Sequence, residues 1–305
     1  MAGKRVLVTG ASGFTGRYMV RELERRGHTV VSLVSAAQST ADTEDDPQVR
    51  RADLRDLRTL TQVMDEVRPD HVIHLAALAF VAHGKVDDFY QINLVGTRNL
   101  FQALQDAGHI PVSVLLASSA NVYGNTTEGA ISEAVPPNPA NDYAVSKLAM
   151  EYVARLWSDR YPLVVARPFN YTGVGQDEKY LIPKVVSHFV KGANEIELGN
   201  IDVWRDFGDV RAVVDAYARL MVEPKAASMI VNVCSGEAHS LRGIIDTCQR
   251  ITGHEIAIRV NPAFVRANEV RVLRGNNELL KSVIGDWNCP DISQTLEWML
   301  TSHLG

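Results

Sequence analysis

A tyrosine and a lysine four residues apart, Tyr143 and Lys147, are the residues of this sequence best placed to do proton chemistry. In a helix they would lie about 40° apart around the axis, because each residue turns the chain by roughly 100°. A phenol titrates near pH 10, so it exchanges protons poorly at neutral pH unless a cation stabilises the phenolate. Ser119, upstream of the pair, could hydrogen-bond a carbonyl or alcohol oxygen at the same point. Taken alone, the pair also fits an ordinary amphipathic helix, since this spacing is common by chance.

A glycine-rich turn near the start of the chain is the second chemical signature. Residues 4–9 predict a strand and residues 17–26 a helix, with three glycines at a spacing of three between them. Gly10 permits a tight turn, Gly13 lets the backbone approach a pyrophosphate, and Gly16 lets the helix pack on the strand. The other interpretation is a plain glycine-rich turn. The predicted contacts with a dinucleotide cofactor are Gly10, Ser12, Gly13, Phe14, Thr15 and Gly16.

The second strand is predicted over residues 28–33, and the residue at its end normally determines whether NAD or NADP binds. An acid there binds the ribose of NAD, whereas a basic residue binds the 2′-phosphate of NADP. Val34 and Ser35 occupy the position, so neither signal is present. We expect both cofactors to be used and NADPH to be preferred, with Ser35 and Arg17 near the phosphate. The acidic run at residues 42–46 weakly favours NAD.

Strands and helices alternate through the middle of the chain. Strands are predicted near residue 49 and over residues 71–75 and 112–117, with a helix over residues 87–107. This alternation predicts an α/β fold with a doubly wound parallel sheet, in which ligands bind beyond the carboxyl ends of the strands. Ser119 would then lie beside the cofactor. Asp53 could accept a hydrogen bond from the adenine amino group or cap the next helix. The other predicted cofactor contacts are Leu54, Leu75, Ala76, Ala77, Tyr143 and Lys147.

The composition excludes several classes of protein. Of 305 residues, 46% are hydrophobic and 22% are charged, which is typical of a globular enzyme or binding protein. The net charge is -5 and no dense Lys/Arg cluster occurs, so we expect no nucleic-acid partner. The three cysteines show no metal-ligand or disulfide spacing, which predicts no metal site and a cytoplasmic location. No apolar run is long enough to cross a bilayer, and no targeting segment or membrane partner is expected.

The glycine turn and the Tyr143–Lys147 pair belong to a wider set of motifs. These are T-G-A-S-G-F-T-G, H-L-A-A, S-S-A-N-V-Y-G, Y-A-V-S-K, A-R-P-F-N, R-D-F-G-D-V and N-V-C-S-G. Together they resemble the motifs of extended short-chain dehydrogenases/reductases that act on nucleotide sugars. The resemblance extends over essentially the whole chain and implies a Rossmann domain, a catalytic triad of Ser119, Tyr143 and Lys147, and phosphate binding by the glycine turn. Within that family the closest likeness is to GDP-4-dehydro-6-deoxy-D-mannose reductases, through V-A-R-P-F-N-Y-T-G-V-G-Q at residues 165–176, G-N-I-D-V-W-R-D-F at residues 199–207 and R-A-N-E-V-R-V-L-R-G at residues 266–275.

The same resemblance implies that the substrate is a nucleotide-diphosphate sugar, GDP-linked. The stretch R-A-N-E-V at residues 266–270 is similar to a motif whose arginine and glutamate contact the nucleotide in GDP-mannose dehydratases. The planar fork of arginine suits a diphosphate, although Arg205 and Arg266 could instead form surface ion pairs. The implied substrate contacts are Ser119, Asn121, Asn170, Lys184, Arg205, Arg266 and Glu269.

Two positions after Ser119 depart from the pattern of related sugar dehydratases. Those enzymes carry acids there to protonate a leaving water, whereas this chain has Ala120 and Asn121, which leaves dehydration without a proton source. The resemblance then implies an NAD(P)H-dependent reductase that converts GDP-4-dehydro-6-deoxy-D-mannose to GDP-D-rhamnose. The alternatives are a nucleotide-sugar 4-epimerase that keeps its NAD bound, and a protein that senses NAD(P) without catalysis.

Irregular alternation after Arg167 predicts a second, smaller and discontinuous substrate-binding domain toward the C terminus. We assign residues 1–168 to the Rossmann domain, with residues 203–234 returning to it, and residues 169–202 and 235–305 to the nucleotide-sugar domain. The resemblance also implies a homodimer paired through helices over residues 87–107 and 143–160. Tyr152, Leu156 and Trp157 would suit such a face, although they could instead cover the sheet of a monomer.

Overall fold

The computed structural model describes residues 3–35, 46–79, 85–125, 129–264 and 270–302. These residues form a mixed α/β structure with one large sheet and three small ones. The strands in chain order are β1 (Arg5–Thr9), β2 (Thr29–Val34), β3 (Val49–Arg51), β4 (His71–His74), β5 (Ser113–Ala117), β6 (Gly129–Ile131), β7 (Leu163–Pro168), β8 (Asn170–Thr172), β9 (Glu195–Leu198), β10 (Trp204–Arg205), β11 (Phe207–Asp209), β12 (Met229–Val233), β13 (His239–Ser240), β14 (Ala257–Val260) and β15 (Val272–Gly275).

The large sheet has seven parallel strands in the order β12-β7-β5-β4-β1-β2-β3. Side chains alternate between its two faces: Val6 and Val8 belong to one buried cluster, whereas Leu7 belongs to the other. Both faces are dry because helices cover both, which explains the continuous apolar runs of these strands. The predicted doubly wound parallel sheet is confirmed.

Helices cover the two faces of the large sheet in separate groups. The helices are α1 (Phe14–Arg25), α2 (Leu57–Val67), α3 (Val86–Phe89), α4 (Gly96–Asp106), α5 (Asp142–Arg155), α6 (Leu181–Val190), α7 (Val210–Val222), α8 (Leu241–Thr252), α9 (Glu278–Ile284) and α10 (Ile292–Thr301). One face packs against α1, α7 and α9, and the other packs against α2, α4 and α5.

The helix predicted over residues 87–107 has a change of pitch inside it. A π-helical segment, Tyr90–Val95, joins α3 to α4 and carries the buried Asn93. π-Helical segments are rare in proteins, and those that occur are often at functional sites. The helix predicted over residues 143–160 ends at Arg155, after which turns lead into β7.

The chain after β7 alternates between the large sheet and small ones. A four-stranded sheet has the order β13-β10-β15-β6, and two-stranded sheets join β11 to β8 and β14 to β9. A third apolar cluster lies among α6, α8 and α10. Within the predicted return of residues 203–234, β12 pairs with β7 and α7 covers the large sheet, whereas β10 and β11 lie in small sheets.

The described helices include none that is long and apolar enough to cross a bilayer.

Candidate active site

The glycine turn after β1 brings the backbone into unusually close contact. Gly10 has a φ of +70°, and a Cβ on it would lie 2.7 Å from the backbone nitrogen of Ala76. A Cβ on Gly16 would lie 2.1 Å from the carbonyl oxygen of Gly10. Glycine is therefore required at both positions, for conformation and for space. The amide of Gly13 donates to the Gly10 carbonyl at 3.0 Å, and Gly13 begins α1. This cradle leaves backbone amides and a helix N-terminus open, which fits a dinucleotide pyrophosphate.

Other predicted cofactor contacts lie around this turn. The hydroxyl of Thr15 is 2.8 Å from that of Tyr171, whose ring stacks with Phe14 at 6.3 Å between centroids. Arg17 donates to the carbonyl oxygens of Ser12 at 2.9 Å and Gly175 at 3.1 Å. The guanidinium of Arg17 therefore stays beside the turn.

The loop after β4 passes directly under the glycine turn. The amide of Leu75 donates to the Thr9 carbonyl oxygen at 3.2 Å, and the amide of Ala76 donates to the Thr9 hydroxyl at 3.1 Å. Ala77 follows and is half-buried. The cofactor contacts assigned to Leu75, Ala76 and Ala77 stay predictions.

The structure separates the two roles considered for Asp53. Its carboxylate is bound by the Arg55 side chain, which lowers the pKa of Asp53. Asp56 caps α2 instead, because its side chain accepts from the amide of Thr59. The cap assignment for Asp53 is therefore wrong, and the adenine contact stays a prediction. Leu54 beside it is buried and packs against Gly96.

Ser119 lies at the end of β5 and caps the short 3₁₀ turn Ala120–Tyr123. Its hydroxyl accepts from the backbone and the side-chain nitrogens of Asn121, both at 3.1 Å. It also hydrogen-bonds Tyr143, which lies in the first turn of α5. Asn141 caps that helix by accepting from the amide of Ala144 at 2.9 Å. The fold thus brings together Ser119, Asn121 and Tyr143, and their catalytic and substrate-binding roles stay predictions.

The phenol of Tyr143 is held in its protonated form. Burial raises the pKa of Tyr143 well above its usual range, the hydrogen bond with Ser119 lowers it, and Tyr171 and Tyr180 raise it further. The two additional tyrosines come from β8 and from the segment before α6. Sequence reasoning missed both, since nothing local connects them with the triad.

Lys147 is fully buried one turn after Tyr143. Its ammonium donates to the carbonyl oxygen of Ala117 at 2.7 Å and lies 4.0 Å from the sulfur of Met150. Burial lowers the pKa of Lys147 to about 8, while Glu151 raises it. The ammonium therefore points to the sheet and is not among the groups that shift the pKa of Tyr143. This differs from the sequence expectation, because a shared face of a helix does not fix where a long side chain ends.

A chain of buried polar groups lies behind the triad. The ring nitrogens of His74 are 2.7 Å from the Thr9 hydroxyl and 2.9 Å from the Thr97 hydroxyl. Burial lowers the pKa of His74 to about 3, helped by the charge of Lys147, so His74 is neutral. Asn93 on the π-helical segment donates to the hydroxyl of Ser146 at 3.0 Å. The sequence offered one signal for these groups, because His74 and Asn93 are each a polar residue inside an otherwise apolar segment.

Two of the predicted substrate contacts, Asn170 and Arg205, lie in the small sheets, and Lys184 lies on α6. The side-chain amide of Asn170 donates to the Asp206 carbonyl oxygen at 3.2 Å, and Arg205 donates to the Trp204 carbonyl oxygen at 2.8 Å. Lys184 donates to the carbonyl oxygen of Glu197 at 2.8 Å, so its ammonium already supports local structure. Arg266 and Glu269 lie outside the described residues, and the roles of all five remain predictions.

Asp206, between Arg205 and β11, organises this region and was missed. Its fully buried carboxylate accepts hydrogen bonds from the amide and hydroxyl of Ser235, from the amide of Gly236 and from the amide of Gly275. Burial raises the pKa of Asp206, and these donors lower it. One side chain thereby joins the loop after β12 to β15. The R-D-F-G-D-V motif was the available signal, but its aspartates do not reveal such distant partners.

Residues 3–35, 46–79, 85–125, 129–264 and 270–302 contain no group of three or more His, Cys, Asp or Glu side chains that could hold a metal ion. Two of the cysteines, Cys234 and Cys248, are buried, and burial raises the pKa of each thiol.

Enzymes that hold a dinucleotide on such a turn, with a tyrosine and a lysine beside it, are short-chain dehydrogenases/reductases, and this chain is one of them. It belongs to the NAD dependent epimerase/dehydratase family, whose model matches residues 6–234. Its cofactor is therefore NAD or NADP.

Similar proteins cover nearly the whole chain. GDP-6-deoxy-D-mannose reductase from Pseudomonas aeruginosa is 37% identical over 95% of this chain and 93% of the relative. GDP-6-deoxy-D-talose 4-dehydrogenase from Aggregatibacter actinomycetemcomitans is 33% identical over 98% of both chains. The structure of RMD from Pseudomonas aeruginosa complexed with NADPH has a TM-score of 0.85 at 35% identity, covering 99% of this chain and 97% of that one. The chain is thus similar to oxidoreductases of nucleotide sugars.

Proposed function

We propose that this enzyme reduces the C4 ketone of GDP-4-dehydro-6-deoxy-D-mannose to GDP-D-rhamnose in the cytoplasm, as a 4-ketoreductase of GDP-mannose metabolism. The observation that carries the proposal is the hydrogen bond between the Tyr143 phenol and the Ser119 hydroxyl beyond the end of β5. A reductase needs a proton donor at this point, because the ketone oxygen becomes an alkoxide. The relatives named for GDP-linked 6-deoxy sugars support the choice of nucleotide and sugar.

The roles of the three residues follow from their protonation and position. The bound cofactor supplies the hydride that forms the new C–H bond at C4. Ser119 hydrogen-bonds the ketone oxygen, and Tyr143 transfers its hydroxyl proton to that oxygen, leaving a phenolate and a neutral alcohol. The charge of Lys147 is proposed to act on the phenolate that forms in the reaction. In the free enzyme its ammonium donates to the Ala117 carbonyl oxygen and is not among the groups that shift the pKa of Tyr143. Asn121 stands where a dehydratase would need an acid, so elimination of water lacks a proton donor.

We assign substrate binding to the small sheets. Asn170 and Arg205 flank the buried Asp206 and are proposed to face the diphosphate of the sugar nucleotide. Arg266 and Glu269 are proposed to contact the nucleotide, and Lys184 is retained as a candidate. This division corresponds to a cofactor domain of residues 1–168 with part of 203–234, and a substrate domain formed by the remainder.

Replacing Tyr143 with phenylalanine tests the proposed chemistry. We expect kcat with GDP-4-dehydro-6-deoxy-D-mannose and NADPH to fall about 10²–10⁴-fold, the usual effect of losing a general acid. Tyr152→Phe is the matched control, because Tyr152 lies on the same helix with 55% of its surface exposed. Near wild-type turnover in Tyr143→Phe would refute the assignment.

The product distinguishes the remaining possibilities. Mannose and talose differ in configuration at C4, so NMR of the product separates GDP-D-rhamnose from GDP-6-deoxy-D-talose. Purified protein that holds stoichiometric NAD and interconverts C4 epimers without added cofactor would instead identify a 4-epimerase. Cofactor binding with no turnover of any sugar nucleotide would identify an NAD(P)-sensing protein.

Both cofactors are proposed to work, with NADPH favoured by ~10-fold in kcat/KM, equivalent to ~1.4 kcal/mol. Val34 is buried at the end of β2 and can neither bind a ribose hydroxyl nor repel a phosphate. Arg17 supplies a positive charge beside the turn, which favours a phosphorylated ribose. Steady-state kcat/KM with each cofactor measures the preference. A strong preference for NADH would contradict it.

A homodimer paired through α4 and α5 is proposed as well. Tyr152 on α5 and Leu156 at its C-cap are 55% and 82% exposed and lie one helical turn apart, so together they offer an apolar face to a partner. Trp157 stacks on Phe101 of its own subunit, with ring centroids 5.9 Å apart, so it belongs partly to the monomer's core. Light scattering should give twice the chain mass of 33.6 kDa. A monomeric mass at micromolar concentration would contradict the proposal.

A further inference from the structure

A buried ion pair lies behind the triad and takes no part in the reaction described above. Arg167 at the end of β7 donates to both carboxylate oxygens of Glu151 on α5, at 2.9 and 2.6 Å. The two side chains are only 4% and 2% exposed. Buried pairs of this kind add little net stability, because desolvation offsets their attraction. A role in stability alone is therefore a weak explanation for placing two charges here.

The pair is joined to the segments that carry the catalytic residues. Ser118, which precedes Ser119, donates to Glu151 at 2.5 Å. The guanidinium of Arg167 lies 4.9 Å from the ring centroid of Tyr123, at the end of the 3₁₀ turn that Ser119 caps. The end of β5, the turn after it and the middle of α5 are thus tied to one cluster.

Glu151 also lies one helical turn after Lys147, the only cationic member of the triad. The charged and titratable groups around Lys147 are Tyr143 and Glu151 on its own helix, neutral His74 on β4, and Arg167 reached through Glu151. The contact from β5 is the neutral carbonyl oxygen of Ala117. Glu151 is the carboxylate among these groups that favours the protonated ammonium.

We propose that Glu151, held by Arg167 and Ser118, is a positioning residue that keeps Lys147 protonated and fixes Ser119 relative to α5. Its carboxylate acts through these two neighbours and does not touch the substrate. The proposal rests on the proposed roles of Ser119 and Lys147 in the reductase reaction.

The titration of Lys147 tests the electrostatic part without any substrate. The side-chain nitrogen of Lys147 is followed by NMR in ¹⁵N-lysine-labelled enzyme with NADPH bound, and its signal is assigned with Lys147→Arg. In Glu151→Gln we expect the pKa of Lys147 to fall by about one unit, since an attractive charge is lost and Arg167 remains. Glu178→Gln, which breaks the exposed pair with Lys191, is the matched control and should leave the titration unchanged.

A double variant covers the possibility that Glu151→Gln does not fold with Arg167 unpaired. Replacing a buried pair by apolar residues of similar volume is often neutral, so Glu151→Met with Arg167→Met should fold. We expect the pKa of Lys147 in the double variant to lie between its pKa in Glu151→Gln and its pKa in the wild type. A pKa of Lys147 in the double variant equal to that in the wild type would overturn the proposal.

Ser118→Ala tests the geometric part, because it removes one hydrogen bond and keeps both charges. We expect kcat for the sugar nucleotide to fall about tenfold with an unchanged KM and an unchanged titration of Lys147. An unchanged kcat would overturn the link to Ser119. If the wild type reduces no sugar nucleotide, the proposed function fails, whereas the Lys147 titration still decides whether Glu151 sets its charge.

Discussion

Gly16 in the cofactor half and Asp206 in the substrate half both bring backbone segments together, but by opposite means. We call the large sheet with its helices the cofactor half, and the small sheets around Asp206 the substrate half. At Gly16 the absence of a side chain lets α1 approach the turn after β1. At Asp206 a charged side chain gathers amides from the ends of two other segments. One half depends on steric fit, and the other on a buried charge.

Asp206→Asn is the substitution expected to damage the substrate half most. An amide would place a donor where the carboxylate now accepts hydrogen bonds from backbone N–H groups. We expect the free energy of unfolding to fall by about 3 kcal/mol, the upper range for leaving a buried partner unsatisfied. Denaturant titration measures this loss. The hydrogen-bond partners found for Asp206 are Asn170, Ser235, Gly236 and Gly275, and none of these belongs to the glycine turn. The Kd for NADPH of the folded variant should therefore remain at the wild-type value.

Gly16→Ala is the reciprocal test on the cofactor half. The added Cβ would overlap the Gly10 carbonyl oxygen and displace the turn, which should raise the Kd for NADPH about 10–100-fold. Fluorescence titration with NADPH checks the change. The matched control is Gly243→Ala in α8, where a Cβ would meet only a serine side chain at 3.1 Å. Equal losses of cofactor affinity in both variants would show that the effect is not local to the turn.

The pH dependence of kcat tests the cofactor half of the site without any mutation. Lys147 acts in its charged form, and with its pKa at about 8 it is protonated below that pH and neutral above it. We therefore expect kcat to be constant on the acid side of pH 8 and to fall about tenfold per unit on the basic side. A fall in kcat that begins on the acid side of this point would contradict the assignment to Lys147.

Ser35→Asp should have the smallest effect and should be confined to cofactor choice. The exposed carboxylate would repel a 2′-phosphate and could bind a ribose hydroxyl, shifting kcat/KM toward NADH by about tenfold. Ser35→Asn has a similar shape without the charge and should leave the preference near that of the wild type. If both variants shift it equally, shape rather than charge controls the site.

The sequence predicted the cofactor half far better than the substrate half. Ser119 and the glycine turn could be placed together because the carboxyl ends of parallel strands meet at one edge of a sheet. The direction of the Lys147 side chain could not be predicted, since it depends on the Ala117 carbonyl oxygen of another element.

The partners of Asp206 were equally hidden from sequence reasoning. They lie far along the chain, at Ser235, Gly236 and Gly275, and contacts at such distances leave no periodic pattern in the sequence. The ion pair of Glu151 with Arg167 was missed for the same reason, although the local motifs around each residue were recognised.

The pairing of β6 with β15 has a consequence for the order of folding. Gly129 pairs with Leu273, so nearly half the chain must be synthesised between the two strands. The contacts among β1 to β5 involve residues 5–117 and can form much earlier, since domains assemble from the N terminus during translation. The nascent enzyme should therefore acquire its dinucleotide cradle long before its sugar-nucleotide site closes.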